Sequence, residues 1–136
     1  MTDKIYRLEI VTPNKVVFSG DVTSFSAPGV IGGFQVLRNH APLLSNIAVG
    51  EVKVVDAAGG ESRYATSGGF VEVHENKLVM LAETAERSDE IDVTRAEAAR
   101  ERARKRLADK EAGTEIERAR LALHRALNRL KVAARQ

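Results

Sequence analysis

A β-sandwich followed by an antiparallel hairpin of two helices is the fold class that this sequence predicts, α+β with the two kinds of structure segregated along the chain. Three observations carry that expectation. All three prolines, all six aromatic residues and nine of the ten glycines lie in residues 1–86, whereas 11 of the 14 arginines lie in residues 87–136. The first stretch alternates apolar and polar residues with a period of two between clusters of turn residues, the signature of short strands. The second repeats its apolar residues with the period of a helix. The division is therefore placed between a β-domain, 1–86, and a helical hairpin domain, 87–136.

The elements follow in order. "YRLEIVTP" alternates as one strand, and "KVVFSGDVTSFSA" gives two short runs broken at Ser19-Gly20-Asp21. The segment from Gly50 to Glu83 supplies four more strands, separated by Ala57-Ala58-Gly59-Gly60, Ser67-Gly68-Gly69 and Glu75-Asn76, the turn chemistry of hairpins. No helix-length segment intervenes, so a parallel α/β sheet is not expected. Asp92 then stands as an N-cap to a helix running from Val93 to about Glu111. Gly113 suits a left-handed helix end, and Thr114 with Glu117 makes a capping box for the second helix. Ile116, Ala119, Leu123, Ala126, Leu127, Leu130 and Ala134 fall on one face of that helix. They oppose a thinner stripe of Ala96, Ala99, Ala103 and Leu107 on the first. Small residues facing leucines suit a close hairpin, but one poor in apolar area and so marginal without another surface.

With 136 residues there is room for one compact domain plus an appendage. The chain has no cysteine, which excludes disulfide scaffolds and thiolate metal sites. Its first residues show no apolar core of signal-peptide length, and no apolar run is long enough to span a membrane. Charge is uneven. Residues 1–86 carry 7 Lys and Arg against 10 Asp and Glu, and residues 87–136 carry 14 against 9. The second half therefore has the field suited to an acidic partner or a phosphate.

Signatures of catalysis are missing. There is no G-x-x-x-x-G-K-[ST], no G-x-G-x-x-G and no G-x-S-x-G, and His40, His74 and His124 lie far apart. The expectation is a protein with no catalytic residues and no metal site. The arginines of the tail admit three readings: a solvated face interleaved with Glu97, Glu101 and Asp109, a nucleic-acid surface, or a site for phosphate or an acidic partner. Nucleic-acid binding is disfavoured by the absence of aromatics there. Geometry gives the third reading a definite place. In a hairpin turning near Gly113, Arg95 falls level with about residue 131, beside Arg129, and Arg125 lies about 6 Å away along the helix. Three arginines from two helices then converge at the open end, with Asp92 and Glu86 nearby to accept hydrogen bonds from a ligand.

The order "FQVLRNHAPLL", "SGGFVEV", "AERSDEIDVTRA" and helical hairpin resembles the ε subunit of bacterial F-type ATP synthases, and the resemblance covers essentially the whole chain. It implies a ten-stranded β-sandwich that binds the γ subunit and rests on the c-ring, and a hairpin that either folds down or extends along γ toward the α and β subunits. Extended, the hairpin would inhibit ATP hydrolysis, its basic face of Arg100, Arg102, Arg104 and Arg106 meeting an acidic segment of β. The resemblance also implies a regulatory ATP, with or without Mg²⁺, and no obligatory cofactor. The family's I/L-D-x-x-R-A motif stands intact as Ile91-Asp92-Val93-Thr94-Arg95-Ala96, joined by Glu86, Arg125 and Arg129 as ATP-binding residues. The implied location is peripheral, on the cytoplasmic face of the bacterial membrane through the complex. A free-standing ATP sensor and a basic nucleic-acid-binding hairpin are the competing functions.

Overall fold

The computed structural model describes residues 4–109 and 113–135. Nine strands, β1 (Tyr6–Val11), β2 (Val16–Pro28), β3 (Gly33–Val36), β4 (Leu43–Ile47), β5 (Gly50–Asp56), β6 (Glu61–Thr66), β7 (Gly69–His74), β8 (Lys77–Ala82) and β9 (Ala85–Arg87), precede two helices, α1 (Val93–Asp109) and α2 (Gly113–Ala133). The β-sandwich with a two-helix C-terminal region is as expected, with nine strands among the described residues rather than ten. Hydrogen bonding runs β4-β7-β8-β1-β2-β5-β6-β9, and β3 pairs with β2.

One strand makes this path a sandwich. β2 is 13 residues long. Its first half pairs with β1 and its second half with β3 and β5, so it belongs to both layers. The register against β5 shifts between Val22 and Ser24, where an extra residue lets the strand bend. The expected break at Ser19-Gly20-Asp21 is therefore corrected: Gly20 sits within the ladder opposite Leu8. A glycine weakens a strand but does not interrupt one whose neighbours hold it on the far edge. Beyond Pro28 the layers close, with Ala48 N donating to Pro28 O at 2.7 Å and Val30 N donating to Asn46 O at 3.1 Å.

The Glu75-Asn76 turn joins β7 and β8 as a hairpin, both residues having positive φ, as a mirror-type turn requires. Asp56 organises the β5–β6 turn, its Oδ1 accepting from the backbone N–H groups of Ala58 and Gly60. Ser67-Gly68-Gly69 is a correction. It does not close a hairpin, because β6 pairs with β5 and β9 while β7 pairs with β4 and β8. The chain crosses between layers there, and Gly69 comes so near the Leu81 carbonyl that a Cβ would clash. β1 and β8 pair in parallel, the one such pair among the described strands.

Between the layers lie Leu8 and Ile10 of β1, Phe25 of β2, Val52 and Val54 of β5, Val71 of β7 and Leu78 and Met80 of β8, all without solvent exposure. Tyr6 joins them, its hydroxyl donating to the Val36 carbonyl at 2.6 Å. Burial raises the Tyr6 pKa well above the ordinary phenol value.

The hairpin packs through small residues, Ala96 and Ala103 of α1 against Ala119 and Ala126 of α2 all being buried. Leu127 and Ala134, expected on the inner face, are exposed; Val132 and Ala133 are buried instead, with Ala65 of β6 and Ile91. The helical face turns because the end of α2 leaves α1 and docks on the sheet. α2 begins at Gly113, so this glycine opens the second helix rather than closing the first. The expected helix end at Glu111, and the Thr114 side chain of the capping box, lie outside the described residues.

Candidate functional site between hairpin and sandwich

The site is built by the junction of the two parts. Glu86 stands in β9 opposite Ala65 of β6. After β9 the chain makes one 3-10 turn over Ser88–Glu90, and Ile91 is buried against Ala65, Val132 and Ala133. This apolar anchor fixes the entry of α1. Asp92 follows, and its Oδ1 accepts from the Arg95 backbone N–H at 3.0 Å, capping the helix as expected. The second carboxylate oxygen is left to accept from elsewhere.

A cleft of about 580 Å³ opens beside this cap, within the usual range for small-molecule sites. Its walls are the β1–β2 turn with Thr12, Asn14 and Lys15, the β8–β9 connection with Glu83 and Thr84, Glu86 of β9, Asp92, Arg95, Ala96, Ala99 and Arg102 at α1, and Arg129 of α2. Ala96 and Ala99 present only methyl groups, which keeps the cleft open beside the helix. Arg129 Nε donates to Glu86 Oε1 at 2.5 Å. Lys15, Arg95 and Arg102 take part in no ion pair among the described residues. Four cations, Lys15, Arg95, Arg102 and Arg129, meet three carboxylates, Glu83, Glu86 and Asp92, around the cleft, which leaves a small excess of positive charge facing a polar space.

The structure thus brings together Glu86, Asp92, Arg95, Ala96 and Arg129 around one cavity, with Ile91 buried behind it. Arg125 lies apart. It lines an adjoining crevice with Thr66, Ser67 and Asn128, and Thr84 and Arg129 border both spaces. One helical turn from Arg129, Arg125 thus lines this crevice beside β6 rather than the cleft. The four arginines expected as one basic face are divided. Spacing by two residues puts Arg100 and Arg104 on one stripe, where both lie beside Glu101, at 3.7 and 3.4 Å. Arg102 and Arg106 share another, and Arg102 reaches the cleft.

Lys15, Glu83 and the cleft position of Arg102 escaped sequence reasoning. Helical spacing ranks residues on α1 against α2, but it carries no information on where the β1–β2 turn lies. A larger depression of about 870 Å³ borders β4, β7 and β8, where Glu72 and Glu75 offset Lys77. No group of three or more His, Asp and Glu suited to a metal occurs among the described residues.

Comparison with known proteins agrees along the whole chain. Residues 5–88 match the family model of the ATP synthase delta/epsilon chain β-sandwich domain, and residues 89–134 match that of its long α-helix domain. The chain is 48% identical over 130 residues to the ATP synthase epsilon chain of Desulforamulus reducens, covering 96% of this chain and 98% of that one. It is 51% identical over 110 residues to the corresponding chain of Pelotomaculum thermopropionicum, covering 81% of each. A chain of the Euglena gracilis mitochondrial ATP synthase, solved as an assembly of OSCP, F1 and c-ring, shares the fold at a TM-score of 0.80, with 21% identity over 95% of this chain and 80% of that one.

Proposed function

Because the chain belongs to the family of ATP synthase epsilon chains, non-catalytic subunits of the F-type central stalk, we propose that its hairpin is a regulatory arm held down by a nucleoside triphosphate. Family membership displaces the free-standing sensor and the nucleic-acid binder. The observation that carries the nucleotide reading is the cleft, where Lys15, Arg95 and Arg102 have no carboxylate partner and Arg129 joins them from α2. A triphosphate supplies the negative charge that this arrangement lacks, through charge-assisted hydrogen bonds to the guanidinium groups. Asp92, which uses one carboxylate oxygen for the cap, and Glu86 accept hydrogen bonds from amino or hydroxyl groups. Arg125, one turn from Arg129, lies in the adjoining crevice and reaches the nucleotide only by a change of rotamer.

On this reading the β-sandwich attaches the subunit to γ and to the c-ring, and so to the cytoplasmic face of the membrane. No described helix is long and apolar enough to cross a membrane. Released, the hairpin extends toward the α and β subunits, where its arginines meet acidic β residues and slow hydrolysis. Whether Mg²⁺ accompanies the nucleotide is decided by titration with and without chelator.

Thermal melting tests the reading. A ligand at one hundred times its dissociation constant stabilises the form that binds it by about 2.7 kcal/mol. ATP should therefore raise the melting temperature of the wild-type chain and leave that of Arg129→Ala nearly unchanged. A wild-type melting temperature indifferent to ATP contradicts it.

A further inference from the structure

We propose that Lys15, in the β1–β2 turn, is a phosphate anchor of this cleft, so that the phosphate chain, and not only the contact at Glu86 of β9, ties the hairpin to the β-sandwich. The inference rests on the nucleotide reading of the cleft and adds a residue from a different part of the fold.

The turn is held in place. Thr12 N donates to Lys15 O at 2.9 Å, and Lys15 N donates to Thr12 Oγ1 at 3.3 Å, while Val11 and Val16 pair across the hairpin behind it. The base of the lysine is thus fixed and only its side chain is free to move. Several basic residues on the sheet strands have carboxylate partners: Arg87, next to Glu86 in β9, pairs with Asp89, Lys53 with Glu61, and Arg63 with Glu51. Lys15 has none among the described residues, although Glu83 and Glu86 line the same cleft.

Cations therefore surround the cavity from three elements, Lys15 from the β1–β2 turn, Arg95 and Arg102 from α1, and Arg129 from α2. Arg95, Arg102 and Arg129 all stand on the hairpin, so without Lys15 every cationic phosphate contact would survive its release from the sandwich. A site that includes Lys15 exists only while the hairpin is folded down, which couples occupancy to docking. A flexible ammonium suits an extended phosphate chain, because it adjusts to one oxygen without the fixed fork of a guanidinium.

Calorimetric titration of the full chain with ATP, and with inorganic tripolyphosphate as competitor, tests this in wild type, Lys15→Ala and Lys15→Arg. Lys15→Ala should weaken ATP binding roughly tenfold or more, and Lys15→Arg should restore most of it. Tripolyphosphate should displace ATP from wild type and lose affinity for Lys15→Ala by a similar factor, which identifies the phosphate chain as the contact. ATP affinity within about threefold of wild type in Lys15→Ala would overturn the anchor and leave the nucleotide reading standing. No ATP binding by wild type would overturn both.

Discussion

Arg129 of α2 and Glu86 of β9, 43 positions apart in sequence, form the ion pair that crosses from hairpin to sandwich at the cleft. Both side chains are about one-third exposed, so the pair itself contributes ~1 kcal/mol or less to folding. Its larger effect is to aim the guanidinium. Glu86→Ala should therefore weaken ATP binding through Arg129, and the double variant with Arg129→Ala should lose less than the sum of the single losses. Strictly additive losses in calorimetry would show that the two residues act separately.

A second fastening lies at the end of α2 and involves no ligand. Arg135 pairs with Glu51 at 3.0 Å, Glu51 also meets Arg63 at 2.8 Å, and Asn128 donates to the Gly50 carbonyl at 2.8 Å. Glu51 is the least exposed carboxylate in these pairs. Glu51→Gln should loosen the last turns of α2 by roughly 1 kcal/mol, seen as faster amide exchange around Asn128–Arg135 with β1 and β8 unchanged. Unchanged exchange there would assign the docking to Val132 and Ala133 alone.

The arginines of α1 should separate into two classes. Arg102→Glu places an acid in the phosphate cleft and should lower ATP affinity strongly. Arg104→Glu, on the other stripe, should leave ATP affinity near wild type and raise ATP hydrolysis by the assembled complex. Equal effects on both measurements would mean that the stripes are not functionally distinct.

Tyr6 gives a pH dependence with a definite sign. Its folded-state pKa is raised by burial above the ordinary value of about 10, so the folded state favours the neutral phenol. The associated stability is complete below about pH 10 and is lost as pH rises beyond it. Tyr6→Phe should cost ~1 kcal/mol at neutral pH, because the Val36 carbonyl loses its donor, and should flatten the alkaline decline. Denaturant unfolding between pH 8 and 11 reports both effects.

Local chemistry made much of this molecule legible in its sequence. Glu75-Asn76 specifies a mirror-type turn wherever it stands, and Asp92 caps a helix through its own neighbours, so both followed from residue order. The continuity of β2 across Gly20 did not, since it depends on β1 and β5 pairing from either side. Nor did the crossover at Ser67-Gly68-Gly69, where the same residues would equally serve a hairpin. The cleft divided along the same line. Arg95 and Arg129 met because helical geometry sets their level. Arg125 fell in the adjoining crevice beside β6, and Lys15 entered, because both depend on how the hairpin lies against the sandwich.

If nucleotide in the cleft holds the hairpin down, the distance between α2 and β6 within the assembled complex depends on ATP. The chain has no cysteine of its own, so spin labels placed on the isolated chain at Glu61→Cys on β6 and Lys131→Cys on α2, before it is assembled into the complex, report hairpin position without background. With saturating ATP a single short distance should be found, matching the folded arm. Without ATP a longer population should appear, and Arg129→Ala should keep it even when ATP is added. A distance distribution that is the same with and without ATP in the wild-type complex would contradict the account.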